Sequence, residues 1–320
     1  MDRFDNIPET ALAWYRAGKG AALATVVETW GSAPRRVGSQ LAISGEGEIA
    51  GSVSGGCVEG AVVAEALEAI AAGKPVVLQY GVSDGDAFAV GLACGGTIRV
   101  LVEPIGSVMP EDLLADLVLA RDARIPVAYV TGRDGQRLER EGHGARFRMD
   151  RSGFEEDGET FVAIHNPPLR LIIVGAVHIA QALVPMARIA GYDPLLIDPR
   201  ESFASEARFP NEIVLHDWPD EGVRAFGLDA RTALVLLTHD PKLDDPALIE
   251  ALRSEVFYIG ALGSTRTHAK RVARLQEVGF SEADISRIHG PIGLDIGAAG
   301  PSEIAVSILA EMTRVLRKGA

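Results

Sequence analysis

The 320-residue sequence predicts an α/β protein in two parts: a mixed α/β domain first, then a doubly wound parallel sheet. Three observations predict it. After residue 168, short apolar runs alternate with helical segments, the pattern of a parallel sheet covered by helices on both faces. The first of those runs enters a glycine turn and a helix, and the next run ends on an acid. That order is the one a Rossmann-type nucleotide fold requires. Between the halves stands His165-Asn166-Pro167-Pro168, and consecutive prolines enter neither a helix nor a central sheet. The expected domains are therefore 1–166 and 167–320.

In the first part, a helix over 7–17 precedes a Val- and Thr-rich strand over 21–30. The turn 31–36 carries two arginines. Strands over 40–44 and 48–53 form a hairpin around Gly45-Glu46-Gly47. A helix over 58–72 stops at Gly73, and strands follow over 76–80 and 97–103. A helix over 111–121 and a strand over 127–131 are also expected. The segment 132–158 is rich in glycine and charge and reads as turns and surface loops. In the second part, strands are expected over 169–174, 194–197, 213–215, 233–237 and 257–259. Helices are expected over 179–190, 243–253, 265–278 and 304–316.

Composition narrows the function. Hydrophobic residues make up 47% of the chain, enough for an ordinary core in each half. A net charge of −13 repels polyanions, so nucleic acid is not an expected partner. No apolar run approaches the roughly 20 residues that span a bilayer. The start, Met1-Asp2-Arg3-Phe4-Asp5, does not read as a signal peptide. A cytoplasmic protein without a membrane anchor is expected. Two cysteines make no disulfide framework and lack paired zinc-ligand spacing.

Those cysteines carry the less ordinary chemistry. Gly51-Ser52-Val53-Ser54-Gly55-Gly56-Cys57-Val58-Glu59 joins a strand to a helix. Free amides in such a loop can form an anion-binding concavity, with the Ser52 and Ser54 hydroxyls as further donors. The helix dipole favours a thiolate at Cys57. Gly91-Leu92-Ala93-Cys94-Gly95-Gly96 is a second loop of the same kind. Inert buried cysteines at tight turns are the plain alternative. Arg35 could supply charge for a phosphate or be a solvated surface residue. Glu59 is either a ligand contact or simply an acid in the first turn of a helix.

In the second part, Gly175-Ala176-Val177-His178-Ile179-Ala180 occupies the place of the phosphate turn, and His178 can meet a phosphate or cap the helix. Asp198, 23 residues after Gly175, can accept ribose hydroxyls and repels a 2′-phosphate. NAD(P) binding is weakened by Val177, whose side chain stands where the fingerprint has its second glycine. Thr238-His239-Asp240 is a strand-end turn or a His–Asp pair. Ser264 or Thr265 is a candidate N-cap. The stretch 289–297 is either the lining of a crevice or a connector.

Taken together these segments resemble the XdhC/CoxI family of xanthine dehydrogenase accessory proteins. The resemblance rests on Thr29-Trp30-Gly31-Ser32-Ala33-Pro34-Arg35 and the two cysteine loops. It rests also on Ile197-Asp198-Pro199-Arg200, Thr238-His239-Asp240, Tyr258-Ile259-Gly260-Ala261-Leu262-Gly263-Ser264 and His289-Gly290-Pro291-Ile292-Gly293-Leu294-Asp295-Ile296-Gly297. It leaves 106–166 poorly covered. The family usually has glycine where Val177 stands, and a more polar stretch where Ala298-Ala299-Gly300-Pro301 stands.

The resemblance implies a maturation factor that is not itself an enzyme. It would bind molybdopterin, the molybdenum cofactor, for transfer, assist its sulfuration and deliver it to an apo molybdenum hydroxylase. A cysteine desulfurase is the second expected partner, and a homodimer is compatible with the sequence. Cofactor contacts would come from Arg35, Ser52, Ser54, Gly55, Gly56, Cys57, Glu59, Cys94, Gly95, Gly96, Gly175, His178 and Asp198. Cys57 and Cys94 are also the candidates to sit against the molybdenum, since soft sulfur suits such a metal. The competing reading is an NAD(P)-dependent oxidoreductase with a Cys57/Cys94 redox pair.

Overall fold

The computed structural model describes residues 6–33, 35–81 and 96–319. The chain divides into two compact units, Met1–Pro167 and Pro168–Ala320. Among the described residues no helix is long and apolar enough to cross a membrane.

The first unit runs α1 (Ile7–Arg16), β1 (Ala21–Trp30), β2 (Gln40–Ser44), β3 (Ile49–Gly51), α2 (Glu59–Ala72), β4 (Val76–Tyr80), β5 (Thr97–Pro104) and α3 (Glu111–Asp122). It continues with β6 (Val127–Gly132), β7 (Gly135–Glu139), α4 (Gly144–Met149), β8 (Gly153–Phe154) and β9 (Phe161–His165). An antiparallel sheet has the order β3-β2-β1-β5-β4, and a second has the order β7-β6-β9-β8. Strand β1 is buried on both faces, and its side chains alternate between two cores. Ala22, Ala24 and Val26 meet Val62 and Ala66 of α2. Ala21 and Leu23 face a core with Leu12 of α1, Leu114 and Leu117 of α3, and Tyr129 and Phe161 of the second sheet. Within that core the buried Glu103 carboxylate accepts hydrogen bonds from Tyr129 Oη at 2.7 Å and Thr131 Oγ1 at 3.3 Å. Burial pushes its pKa up, against those bonds.

Two expectations for this unit change. Segment 132–158 holds β7, α4 and β8 as well as turns. The linker begins at Asn166, because His165 closes β9 opposite Val127 and is buried. Burial, reinforced by the charge of Arg121, lowers the His165 pKa to about 3. The unfolded chain therefore binds a proton below about pH 6.5 that the fold rejects until near pH 3. Stability should fall by about 1.4 kcal/mol per pH unit across that window, as acid is added, from this group. His165→Leu should remove one proton's worth of that slope in urea titrations of the whole chain between pH 6.5 and 4. An unchanged slope would show that His165 titrates normally.

The second unit runs β10 (Leu169–Val174), α5 (His178–Ile189), β11 (Tyr192–Ile197), β12 (Val214–Leu215), α6 (Pro219–Phe226), β13 (Thr232–Leu236) and α7 (Pro241–Leu252). Then come β14 (Tyr258–Ala261), α8 (Thr265–Glu277), α9 (Glu282–Ile285), β15 (Ile288–His289) and α10 (Pro301–Lys318). All six strands are parallel, in the order β12-β11-β10-β13-β14-β15. Numbered within the unit this is 3-2-1-4-5-6, the Rossmann order, with its switch point between β10 and β13. Leu171 and Ile173 pack toward α5 and α10, whereas Ile172 and Val174 pack toward α7. This gives the two helical layers expected from the sequence.

Candidate functional site

The loop from β3 to α2 is organised by Glu59. Its Oε1 accepts hydrogen bonds from Ser52 Oγ at 2.7 Å, Val53 N at 3.2 Å and Ser54 N at 2.9 Å. Its Oε2 accepts from Gly56 N at 2.9 Å and from Ser54 Oγ. Each serine hydroxyl also accepts an amide: Ser52 Oγ from Gly55 N at 2.9 Å, and Ser54 Oγ from Val58 N at 3.0 Å. The wrapping needs left-handed backbone at Gly55 (φ 77°) and Gly56 (φ 109°), which residues with a Cβ rarely adopt. Burial alone would raise the Glu59 pKa. The bonds from Ser54, Ser52 and the loop amides outweigh it and hold the group near 2.

This corrects the expected anion-binding concavity. The amides and hydroxyls of the loop do converge on an anion, but the anion is the chain's own Glu59. On the loop's outer side Gly55, Gly56 and the free thiol of Cys57 are exposed.

Two neighbouring segments meet this loop. Exposed Arg35 donates from Nε to the Ser52 carbonyl at 3.2 Å. Among the described residues neither Arg35 nor Arg36 forms an ion pair. Gly96, just before β5, lies against the 31–36 turn: a Cβ there would stand 2.7 Å from the Ser32 carbonyl oxygen. Thus the motif carrying Arg35, the Cys57 loop and the end of the second cysteine loop lie side by side. Cys94 and Gly95 fall outside the described residues. Among the described residues no group of three or more His, Cys, Asp or Glu side chains is arranged to hold a metal.

In the second unit β10 leads through Gly175 (φ 109°) to Val177, the N-cap of α5, with His178 exposed at the first helical position. Val177 packs against the core on that side of the sheet. Asp198 follows β11 and is completely buried. Its Oδ2 accepts from Ala176 N at 2.8 Å and Arg200 Nη2 at 2.7 Å. Its Oδ1 accepts from Arg200 N at 3.0 Å and Arg200 Nε at 2.8 Å. Burial opposes ionisation, but these bonds win and the pKa is lowered. Four donors use the four lone-pair directions of a carboxylate. The expected ribose acceptor is therefore engaged within the chain, along with an amide of the phosphate turn.

The remaining motifs make contacts within the second unit. Asp240 caps α7, accepting from Lys242 N at 3.0 Å, and Ser264 caps α8, accepting from Thr267 N at 3.2 Å. In 289–297, His289 forms the edge strand and stacks on Tyr258 at 4.8 Å, while Gly293 N donates to Glu311 at 2.9 Å. The partners that sequence reading missed are Arg200 for Asp198 and the loop donors for Glu59. The first left a faint signal, a cation two residues beyond the acid.

Fold and site define an α/β protein with a Rossmann unit and a separate unit that presents a thiol on a glycine loop. The XdhC Rossmann domain profile matches residues 171–312, and the XdhC and CoxI family profile matches residues 14–81. The chain is 34% identical over 300 residues to the molybdenum cofactor insertion chaperone PaoD of Escherichia coli, covering 93% of this chain and 84% of that protein. It is 26% identical to a probable xanthine dehydrogenase subunit of Bacillus subtilis, covering 94% of each. A crystal structure described as a xanthine dehydrogenase from Bacillus halodurans superposes with a TM-score of 0.68 at 26% identity, covering 98% of this chain and 96% of that one. The chain belongs to the XdhC/CoxI family.

Proposed function

We propose that this chain takes up the molybdenum cofactor and hands it, without catalytic turnover, to the apo form of a xanthine dehydrogenase-type molybdenum hydroxylase. In this reading it assists sulfuration of the bound cofactor, with a cysteine desulfurase as the partner that supplies sulfur, and it works in the cytoplasm. The relative named as a cofactor insertion chaperone supports the reading along nearly the whole chain. The observation that carries it is the exposed Cys57 thiol on a loop whose shape Glu59 sets.

Roles divide accordingly. Cys57, Cys94, Gly95, Gly96 and Arg35 contact the cofactor, with the thiols toward the molybdenum and the guanidinium toward its phosphate. Ser52, Ser54, Gly55, Gly56 and Glu59 position the loop. The saturated Asp198 weighs against the oxidoreductase alternative, which needs that carboxylate for a ribose. Cofactor affinity, read from the fluorescence of the oxidised pterin, and activation of the client hydroxylase test the proposal. Cys57→Ala should lower both by roughly tenfold or more, the scale of disturbing a metal site's support. Unchanged affinity and activation in both Cys57→Ala and Cys94→Ala would overturn it.

A further inference from the structure

Helix α8 opens against its own electrostatics. Its first two turns hold Arg266, Lys270 and Arg271, and its first turn has no acid. A helix N-terminus is the positive end of the dipole and disfavours cations. Arg266 and Lys270 are also four residues apart, where like charges repel. Neither forms an ion pair among the described residues, and both are exposed. In a chain of net charge −13 such a cluster needs a reason.

The reason lies beside them. A cavity of about 230 Å³ opens past the carboxyl ends of β13 and β14, lined by Arg266, Lys270, Arg271, Thr267 and His239 among others. Arg271 is 2% exposed. Its Nη2 donates to the Leu262 carbonyl at 3.0 Å and stands 3.5 Å from Asp244 Oδ2. Its Nε and Nη1 are buried with no hydrogen-bond partner. Buried donors without acceptors are costly and uncommon, most of all on a cation. Asp244 does not supply them, since its Oδ1 is taken by Thr238 Oγ1. Arg274, at the far side, is already paired with Asp245.

We propose that this cavity binds the phosphoryl group of a small molecule, held by the unpartnered donors of Arg271 from inside and by Arg266 and Lys270 from the rim. Four cations against one carboxylate, Asp244, around one hollow suit a dianion with three oxygens better than a carboxylate, which a single fork satisfies. No residue of the Gly175 turn lines the cavity, and the proposal does not depend on the cofactor-transfer reading.

Calorimetric titration of the whole chain, free of molybdenum cofactor and at fixed ionic strength, tests it with inorganic phosphate, phenyl phosphate and malonate. Saturable binding of either phosphate is expected. Tighter phenyl phosphate assigns a monoester ligand, and tighter inorganic phosphate assigns the free ion. The exposed pair Arg266→Gln with Lys270→Gln should weaken binding roughly tenfold or more while circular dichroism stays unchanged. Arg271→Lys keeps the charge but loses the planar set of donors, and should weaken binding as well. No saturable binding, equal affinity in the double variant, or malonate binding as tight as phosphate would overturn the proposal. None of those results would touch the thiol experiment on Cys57 and Cys94.

Discussion

Glu59→Gln should loosen the Cys57 loop and destabilise the first unit by about 3 kcal/mol, since several inward-facing donors lose their acceptor. The amide group of glutamine would place N–H hydrogens against the donors of Gly56 or Ser54, where the carboxylate accepts at 2.9 Å. Glu59→Asp would also fail, because a side chain one methylene shorter cannot reach both Ser52 and Gly56. Hydrogen exchange at the Val53, Ser54 and Gly56 amides reports the change directly, and urea titration reports its size. Exchange as slow as in the wild type would show that the loop holds its shape without the carboxylate. The same group predicts an acid response. Its folded pKa near 2 lies below the unfolded value of about 4.5. Its stabilising contribution is complete above about pH 4.5 and disappears as pH falls toward 2. Solvent screening at this loop reduces the loss to about 2 kcal/mol. Cofactor uptake should weaken in the variant, because Cys57 is two residues away on the same loop.

The sequence made the interior strands legible and the edges obscure, for a physical reason. Strands β1, β2, β10 and β13 are largely buried on both faces, so they read as mainly apolar runs bounded by turn residues. Strand β7 is half-buried and carries Gln136, Arg137 and Glu139, and β8 is two residues long, so neither leaves a periodic trace. Strand β9 is buried but ends on His165, a polar residue beside two prolines, and so reads as linker. Helix α6 leaves no trace either, because in eight residues its apolar face is only Val223 and Phe226, too short for a period to show. The Cys57 loop showed itself through paired glycines, which in the structure both take positive φ. Glu59 did not, because an acid in a first helical turn has an adequate explanation in the dipole alone. Its grip on donors three to seven residues earlier is tertiary geometry with no local code. The spacing from Gly175 to Asp198 identified the fold correctly, while the ligand role it suggested depended on Arg200, whose side chain turns back on the acid.

Asp198→Ala should be the most damaging single change in the second unit. The carboxylate is completely buried and ties the β10–α5 turn to the end of β11 through Ala176 N, while fixing Arg200. Removing it leaves the Ala176 amide without its acceptor and the guanidinium without its counter-charge. A fully buried pair broken in this way costs about 3–5 kcal/mol. The Arg200 side chain is 37% exposed and can turn toward water, so the expected loss is nearer about 3 kcal/mol. Asp198→Asn keeps the shape and part of the acceptor capacity, and should lose roughly half as much. Urea titration of both variants measures this. Adding NAD to the wild type completes the test, because a ligand that binds only the folded state must raise its stability. A ribose can reach Asp198 only by displacing donors the chain already supplies at 2.7–3.0 Å. No rise in the unfolding midpoint is therefore expected with NAD. A clear rise that is lost in Asp198→Asn would show that Arg200 yields the carboxylate to a nucleotide, and would return the oxidoreductase reading to contention.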